Sequence, residues 1–244
     1  MGYKNSDIEI VWLSQEQCLV VACDSCGGVG VKEQDVLKAD PVRVAQLITR
    51  NALLEILSVG AQPQMITATI ANEPEPTGEA LIGGIRRALH EAGLAALPLG
   101  ISTEKHFTTV QTGFGVTVIG LAAKKDIRFD CSKSGDYVYC LGAPLIGEEI
   151  VGRAEYEMIQ CSHIEKLLQL SGVHDVVPVG SQGLYGEATA LASAIGVHME
   201  FEASLSINIY KPAGPCTCLL VTSERPLDSV KFEGILLSKI GRLI

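Results

Sequence analysis

The chain has 244 residues, 47% of them hydrophobic and 19% charged, which suits one large or two small cores and is too apolar for a disordered chain. Nineteen basic against twenty-eight acidic side chains leave a net charge of −9, which argues against a duplex-binding surface; a phosphate ligand would need a cation to meet it. No apolar run approaches the ~20 residues of a membrane helix. The opening MGYKNSDIEI has no apolar signal segment, so a soluble, cytoplasmic protein is expected, with no nucleic-acid or membrane partner.

In chain order, strands are predicted from Ile8 to Leu13 and from Cys18 to Cys23, joined by the polar SQEQ. The Gly-rich DSCGGVGVK follows. Asp40 suits an N-cap and Pro41 the first position of a helix that ends at Gly60. MITATIA reads as a strand, NEPEPTG as a loop, EALIGGIRRALHEAG as a helix closed by Gly93, and Val110 to Ala122 as a long strand. The charged stretch AAKKDIRFDCSKSGD marks a boundary, giving domains 1–126 and 127–244. Beyond it lie the strand YVYCLGA, helical material from Gly147 to Leu170, the strand VVPVG, a helix from Gly183 to Ile195, the strands HMEFE and CTCLLVT, and a last helix from Pro226 to Arg242. Strands and helices mixed in both halves predict an α/β (α+β) fold of two domains.

Eight cysteines sit mostly inside apolar stretches. Cys23-x-x-Cys26 and Cys216-x-Cys218 have ligand-like spacing but lack the flanking loops of a zinc knuckle, so small buried hydrophobes are the favoured reading.

Several polar residues fit a plain core poorly. Asp24 ends an apolar strand and opens a segment with Ser25, Gly27, Gly28, Gly30 and Lys32; it reads either as an ordinary turn or as a carboxylate holding a cation against phosphate. The segment is neither a P-loop nor a Rossmann fingerprint. Asn51 and Glu55 lie four apart on one face of a very apolar helix, so Glu55 is either a solvent-facing edge residue or a ligand. Asp7 stands just before the first strand. Ser102, Thr103, Glu104, Lys105 and His106 follow an apolar stretch and precede a strand, a usual place for a functional loop. Ser181-Gln182-Gly183 opens a helix and reads either as an anion site or as a plain cap.

Taken in order, these residues resemble the ATP-dependent superfamily that holds aminoimidazole ribonucleotide synthetase, thiamine monophosphate kinase, selenophosphate synthetase and the hydrogenase-maturation dehydratase. Asp7 and Asp24, seventeen residues apart, match the family's Gly-Asp-Asp and Thr-Asp acids. Leu54-Glu55 through Gly60-Ala61-x-Pro63 resembles its Ser-Asp-x-x-x-x-Gly-Ala-x-Pro, with Glu for Asp. Ile101-Ser102-Thr103 stands for Gly-Asp-Thr, Ser181-Gln182-Gly183-Leu184 for Ser-Asp-Gly-Leu, and Ala213-Gly214-Pro215 for Gly-Gly-Asp, so three family acids are missing. DSCGGVG, GISTEKHFTTVQTG and VPVGSQG look closest to the α-ribazole kinases.

The resemblance implies an N-terminal ATP- and Mg²⁺-binding domain whose strands form a β-barrel across a homodimer, and a C-terminal α+β domain. It implies a Mg²⁺-dependent kinase carrying the γ-phosphoryl group of ATP to the 5′-hydroxyl of α-ribazole. Asp7, Asp24 and Glu55 would hold Mg²⁺. Asp24, Ser25, Gly27, Gly28, Lys32, Asn51, Ser102 and Thr103 would contact the nucleotide. Asp24, Glu104 and Lys105 would serve catalysis, and Ser181, Gln182 and Gly183 the nucleoside. A thiamine monophosphate kinase-like enzyme, another synthetase of the superfamily, and a degenerate nucleotide-binding scaffold are the alternatives.

Overall fold

The computed structural model describes residues 8–244, so Asp7 lies outside the described residues. The described residues up to Ile56 with Ala61–Lys125 form one compact unit, and Leu57–Gly60 with Asp126–Ile244 form a second. Among the described residues no helix is long and apolar enough to cross a membrane.

The first unit contains β1 (Ile8–Trp12), β2 (Gln17–Gly27), the short β3 (Val29–Gly30) and β4 (Leu37–Lys38), α1 (Pro41–Ser58), β5 (Gln62–Ile70), α2 (Glu79–Glu91), β6 (Leu99–Thr103) and β7 (Gly113–Ala123). Its main sheet is open, with order β1-β2-β7-β5-β6; all neighbours are antiparallel except β5 and β6. α1 starts as its sequence dictates, for Asp40 Oδ1 accepts the Val42 N–H at 3.0 Å and Pro41 occupies the first turn. One sheet face is buried beneath helix: Cys18, Val20 and Ala22 of β2 alternate inward with Val116 and Val118 of β7. Ile56 of α1 comes so close that a Cβ at Gly120 would lie 2.8 Å from its Cγ2. The opposite face carries Leu19, Val21, Ile119 and Leu121, all half-buried.

The second unit contains β8 (Tyr137–Gly142), α3 (Glu148–Val151), α4 (Cys161–Gln169), β9 (Val173–Pro178), α5 (Gly183–Ala194), β10 (Met199–Phe201), β11 (Cys218–Ser223) and β12 (Leu237–Leu243). They build an antiparallel sheet of order β10-β12-β8-β11-β9. β11 is buried along its whole length, and Leu184, Ala188, Leu191 and Ala192 of α5 share a core with Val138, Cys140 and Leu220.

Several elements differ from the sequence reading. β2 runs on through Gly27, because Ser25, Cys26 and Gly27 pair with Gly115, Phe114 and Gly113; Asp24 therefore sits within a strand and opens no loop. β6 is a strand that the reading of Ser102 to His106 as a functional loop passed over. The helical stretch from Gly147 to Leu170 breaks into α3, a turn at Glu155–Glu157 and α4. The last helix does not form, and its second half is β12. Leu236, Leu237, Ile240 and Leu243 have helix-like spacing, but a bulge between Lys239 and Gly241 produces the same spacing in a strand. Gly241 permits it: a Cβ there would lie 2.1 Å from the Glu200 carbonyl of β10.

None of the eight cysteines is joined in a disulfide. Cys23 and Cys26, three apart in a strand, face opposite sides of the sheet, which removes that pair as a chelate.

Candidate functional site

The C-terminal ends of β2, β5 and β6 and the start of β7 meet at one end of the first sheet, the end where open α/β sheets tend to bind ligands. They surround a depression of about 500 Å³ lined by Ser25, Thr69, Ser102, Thr103 and Glu104, with Gly113 and Gly115 as a wall free of side chains. Four residues singled out in the sequence, from segments more than seventy residues apart, thus line one hollow. Its polar side chains are hydroxyls and a single carboxylate, and Ile70, Ala71 and Phe114 complete the lining. Glu104 accepts the His106 N–H at 2.6 Å and the Phe107 N–H at 3.2 Å. The His106 bond leads in holding its carboxyl below the usual range, so the group is an anion that also orders its own loop. Lys105 is exposed beside it.

Two buried side chains that sequence reasoning missed hold the rim. Asn72 follows β5; its Nδ2 donates to Thr109 Oγ1 and to the Gln111 carbonyl (2.7 Å), and its Oδ1 accepts the Gly113 N–H at 2.9 Å. Asp35 accepts from Thr112 N (2.7 Å), Thr112 Oγ1 (2.8 Å) and Lys32 N (2.8 Å). Burial by itself would raise the Asp35 carboxyl, but these bonds outweigh it and the net shift is downward. A polar residue directly after an apolar strand was the available signal for Asn72; Asp35 had none.

The Lys32 side chain is mostly buried. Its ammonium pairs with Glu73 Oε2 at 2.8 Å and donates to the Thr109 carbonyl at 3.0 Å, while Thr77 Oγ1 donates to the other Glu73 oxygen. Gly27 closes β2, and Gly28, at φ +72°, turns the chain away from it.

Asp24 lies on the other side of the same strand from Ser25, toward α1. Its Oδ2 accepts Asn51 Nδ2 at 2.8 Å and its Oδ1 accepts the Ser25 N–H at 2.7 Å. Glu55 is one helical turn beyond Asn51 and half-buried. Burial, then Asp24 and Asp35, push the Cys26 thiol up to about 11, so it stays protonated. No group of three His, Cys, Asp or Glu side chains among the described residues is placed to hold a metal. Mg²⁺ asks for less, since it commonly takes one or two carboxylates and fills its shell with water and phosphate. A half-buried Asp24 steered by an amide on each oxygen fits that donor set.

In the second unit the structure keeps Ser181, Gln182 and Gly183 together at the start of α5. The N-cap position falls on Gln182, whose side chain makes no capping bond, so the segment is not a plain serine cap. Gly183 has φ +65°, and a Cβ on it would lie 2.8 Å from the Lys211 carbonyl. The turn is thereby pressed onto the 208–213 segment, where the Ala213 N–H also reaches the Gly180 carbonyl at 3.0 Å.

Residues 5–122 match the family model described as AIR synthase related protein, N-terminal domain. No curated protein sequence matches the chain significantly. Among solved structures the chain is similar to phosphoribosylformylglycinamidine synthase II from Thermotoga maritima, at 18% identity and a TM-score of 0.65, covering 98% of this chain and 37% of that one. It is also similar to thiamine monophosphate kinase from Aquifex aeolicus, at 14% identity and a TM-score of 0.67, covering 98% and 89%. AaThiL complexed with AMPPCP and TMP matches at 15% identity and a TM-score of 0.65, covering 98% and 84%. The chain therefore spans little more than a third of the synthase and most of the kinase. At such identities the likeness establishes a shared mixed α/β fold.

Proposed function

We propose that the chain is a Mg²⁺-dependent kinase that transfers the γ-phosphoryl group of ATP to the 5′-hydroxyl of α-ribazole and works as a homodimer. The observation that carries this reading is the convergence of Ser25, Ser102, Thr103 and Glu104 on one depression. The shared fold with AaThiL, a protein complexed with AMPPCP, supports ATP as the donor.

Phosphoryl transfer needs positioning and charge neutralisation more than covalent chemistry. Asp24 and the depression occupy opposite faces of one strand end, so they take different parts of the nucleotide. An anionic Glu104 among hydroxyls suits the ribose, whose hydroxyls it can accept from, and would repel bare phosphate. Asp24, oriented by Asn51, would hold Mg²⁺ on the helix side, joined by Glu55 and Asp7. Bound there, Mg²⁺ supplies the positive charge that phosphate oxygens require and that this acidic chain lacks. Lys105, exposed next to Glu104, is the cation proposed for catalysis, since Lys32 is held by Glu73. Gln182, a neutral amide where the family kinases carry an acid, suits an uncharged nucleoside.

A second reading is an ATP-dependent synthetase that activates an amide oxygen, favoured by the likeness to the Thermotoga synthase. The test is phosphate transfer from ATP with Mg²⁺, offering α-ribazole, thiamine monophosphate and common nucleosides. Product on α-ribazole alone supports the proposal, and product on thiamine monophosphate alone replaces the acceptor. ATP binding with no product on any of them favours the synthetase.

A further inference from the structure

Three aromatic rings in the second unit form a column that the roles above leave unused. Phe201, half-buried on β10, packs against the core shared by α5 and the sheet. Tyr185 of α5 stacks on it with centroids 5.3 Å apart and planes 15° from parallel. Tyr210 lies 4.9 Å from Tyr185, tilted by 35°. Exposure rises along the column, to 42% at Tyr185 and 69% at Tyr210, so the outermost ring is the least covered.

A tyrosine this exposed usually explores many positions, but the backbone of this one is pinned. The Tyr210 N–H donates to Asn208 Oδ1 (3.1 Å), the Lys211 N–H to the Asn208 carbonyl (3.3 Å), and the Tyr185 N–H to the Ile209 carbonyl (2.9 Å). Lys211 is paired with Glu149 at 2.7 Å. The ring is held out on a braced turn. Gln182 starts the same helix three residues before Tyr185, exposed, with its side chain lying over Gly186.

Resting on the nucleoside-kinase reading, we infer that the Tyr210 face is the docking platform for the flat heteroaromatic base of the phosphoryl acceptor, with Gln182 at the start of the helix that carries Tyr185. The tilted Tyr210 ring, packed on the stacked Tyr185–Phe201 pair, leaves a π-face for one further ring, a contact that tolerates many bases because each has a π-face. The two exposed rings offer far less than the ~800 Å² per partner of a stable protein interface, which favours a small ligand. The Lys211–Glu149 pair neutralises the nearby lysine, so a neutral base fits better than a charged one. Gln182 can donate to and accept from a ring edge.

The experiment is calorimetric titration of α-ribazole, a benzimidazole riboside, with free ribose as the ring-less control, into wild-type protein, Tyr210→Phe and Tyr210→Leu. Circular dichroism melts check that both variants stay folded, as the exposure of this side chain leads one to expect. Loss of the ring in Tyr210→Leu should weaken α-ribazole roughly tenfold or more, with Tyr210→Phe within about twofold of wild type. Equal affinity in Tyr210→Leu and wild type overturns the platform, as does ribose binding as tightly as the riboside. Ring-dependent binding without phosphoryl transfer keeps the platform and overturns the kinase. Transfer to α-ribazole that is unchanged in Tyr210→Leu does the reverse.

Discussion

Asp24 and Asn51 carry the clearest division of labour between neighbouring side chains. The amide donates to Oδ2 and the Ser25 N–H holds Oδ1, so the carboxylate is aimed before any ligand arrives. Asp24→Asn keeps the shape and removes the charge. Metal-borne charge stabilisation is worth several kcal/mol, so kcat should drop on the order of a hundredfold or more, with the Mg²⁺ dependence shifted to higher concentration. Wild-type kcat at saturating Mg²⁺ would remove Asp24 from the metal site. Glu104 lends itself to a test independent of turnover. Its carboxyl is depressed, first by the His106 N–H, so the order it imposes on residues 104–107 is complete above the ordinary glutamate pKa of about 4.3 and is lost only as pH falls through the lower folded value. The amide resonances of His106 and Phe107 should therefore titrate together with a midpoint below about 4.3. A midpoint at or above that value would separate Glu104 from its loop.

The depression's shape depends on how elements are tied together. Asn72 is fully buried and makes three hydrogen bonds to 109–113, the segment that delivers Gly113 and Gly115 to the wall. Asn72→Ala strands buried backbone groups and should cost about 2–3 kcal/mol, read as a lower urea midpoint at unchanged slope. An unchanged midpoint would mean that 109–113 is held without Asn72, by Asp35, Lys32 and the backbone. This bracing was hardly legible in the sequence, because a side chain that binds main chain forty residues away leaves no periodic trace. What was legible followed local physics: the α1 start from Asp40-Pro41, the alternation along β2 and β7, and the polar cluster after Gly100. The failures arose where tertiary pairing overrode local signals. Ser25 to Gly27, read as part of a loop, continue β2 because Gly115, Phe114 and Gly113 of β7 pair with them. The helix read from Pro226 to Arg242 fails because its second half is a bulged strand whose apolar spacing imitates a helix. Asp24 and Ser25 were read as one cluster, and the strand sends them to opposite faces.

For the whole molecule, the uncovered face of the first sheet bears on the proposed homodimer. Helices shield one side, while Leu19, Val21, Ile119 and Leu121 remain half-buried on the other, with Met65 39% exposed. Such a contiguous aliphatic face is unusual on a soluble monomer, and burying it at about 25 cal/mol per Å² is a strong drive to associate. The outer edge strand β1 ends in Val11 and Trp12 and is followed by Leu13, each more than half exposed, which extends the same apolar character to the rim. Light scattering should therefore report a dimer mass at micromolar concentration. Val21→Lys places a charge in the middle of that face and leaves the helix-side core untouched. It should yield a folded monomer with an unchanged circular dichroism spectrum. If the Ser25–Glu104 depression belongs wholly to one chain, that monomer would keep its ATP affinity; a parallel loss would mean that the second chain completes the site. A wild-type protein that stays monomeric at high concentration would defeat the homodimer and leave the aliphatic face to another partner.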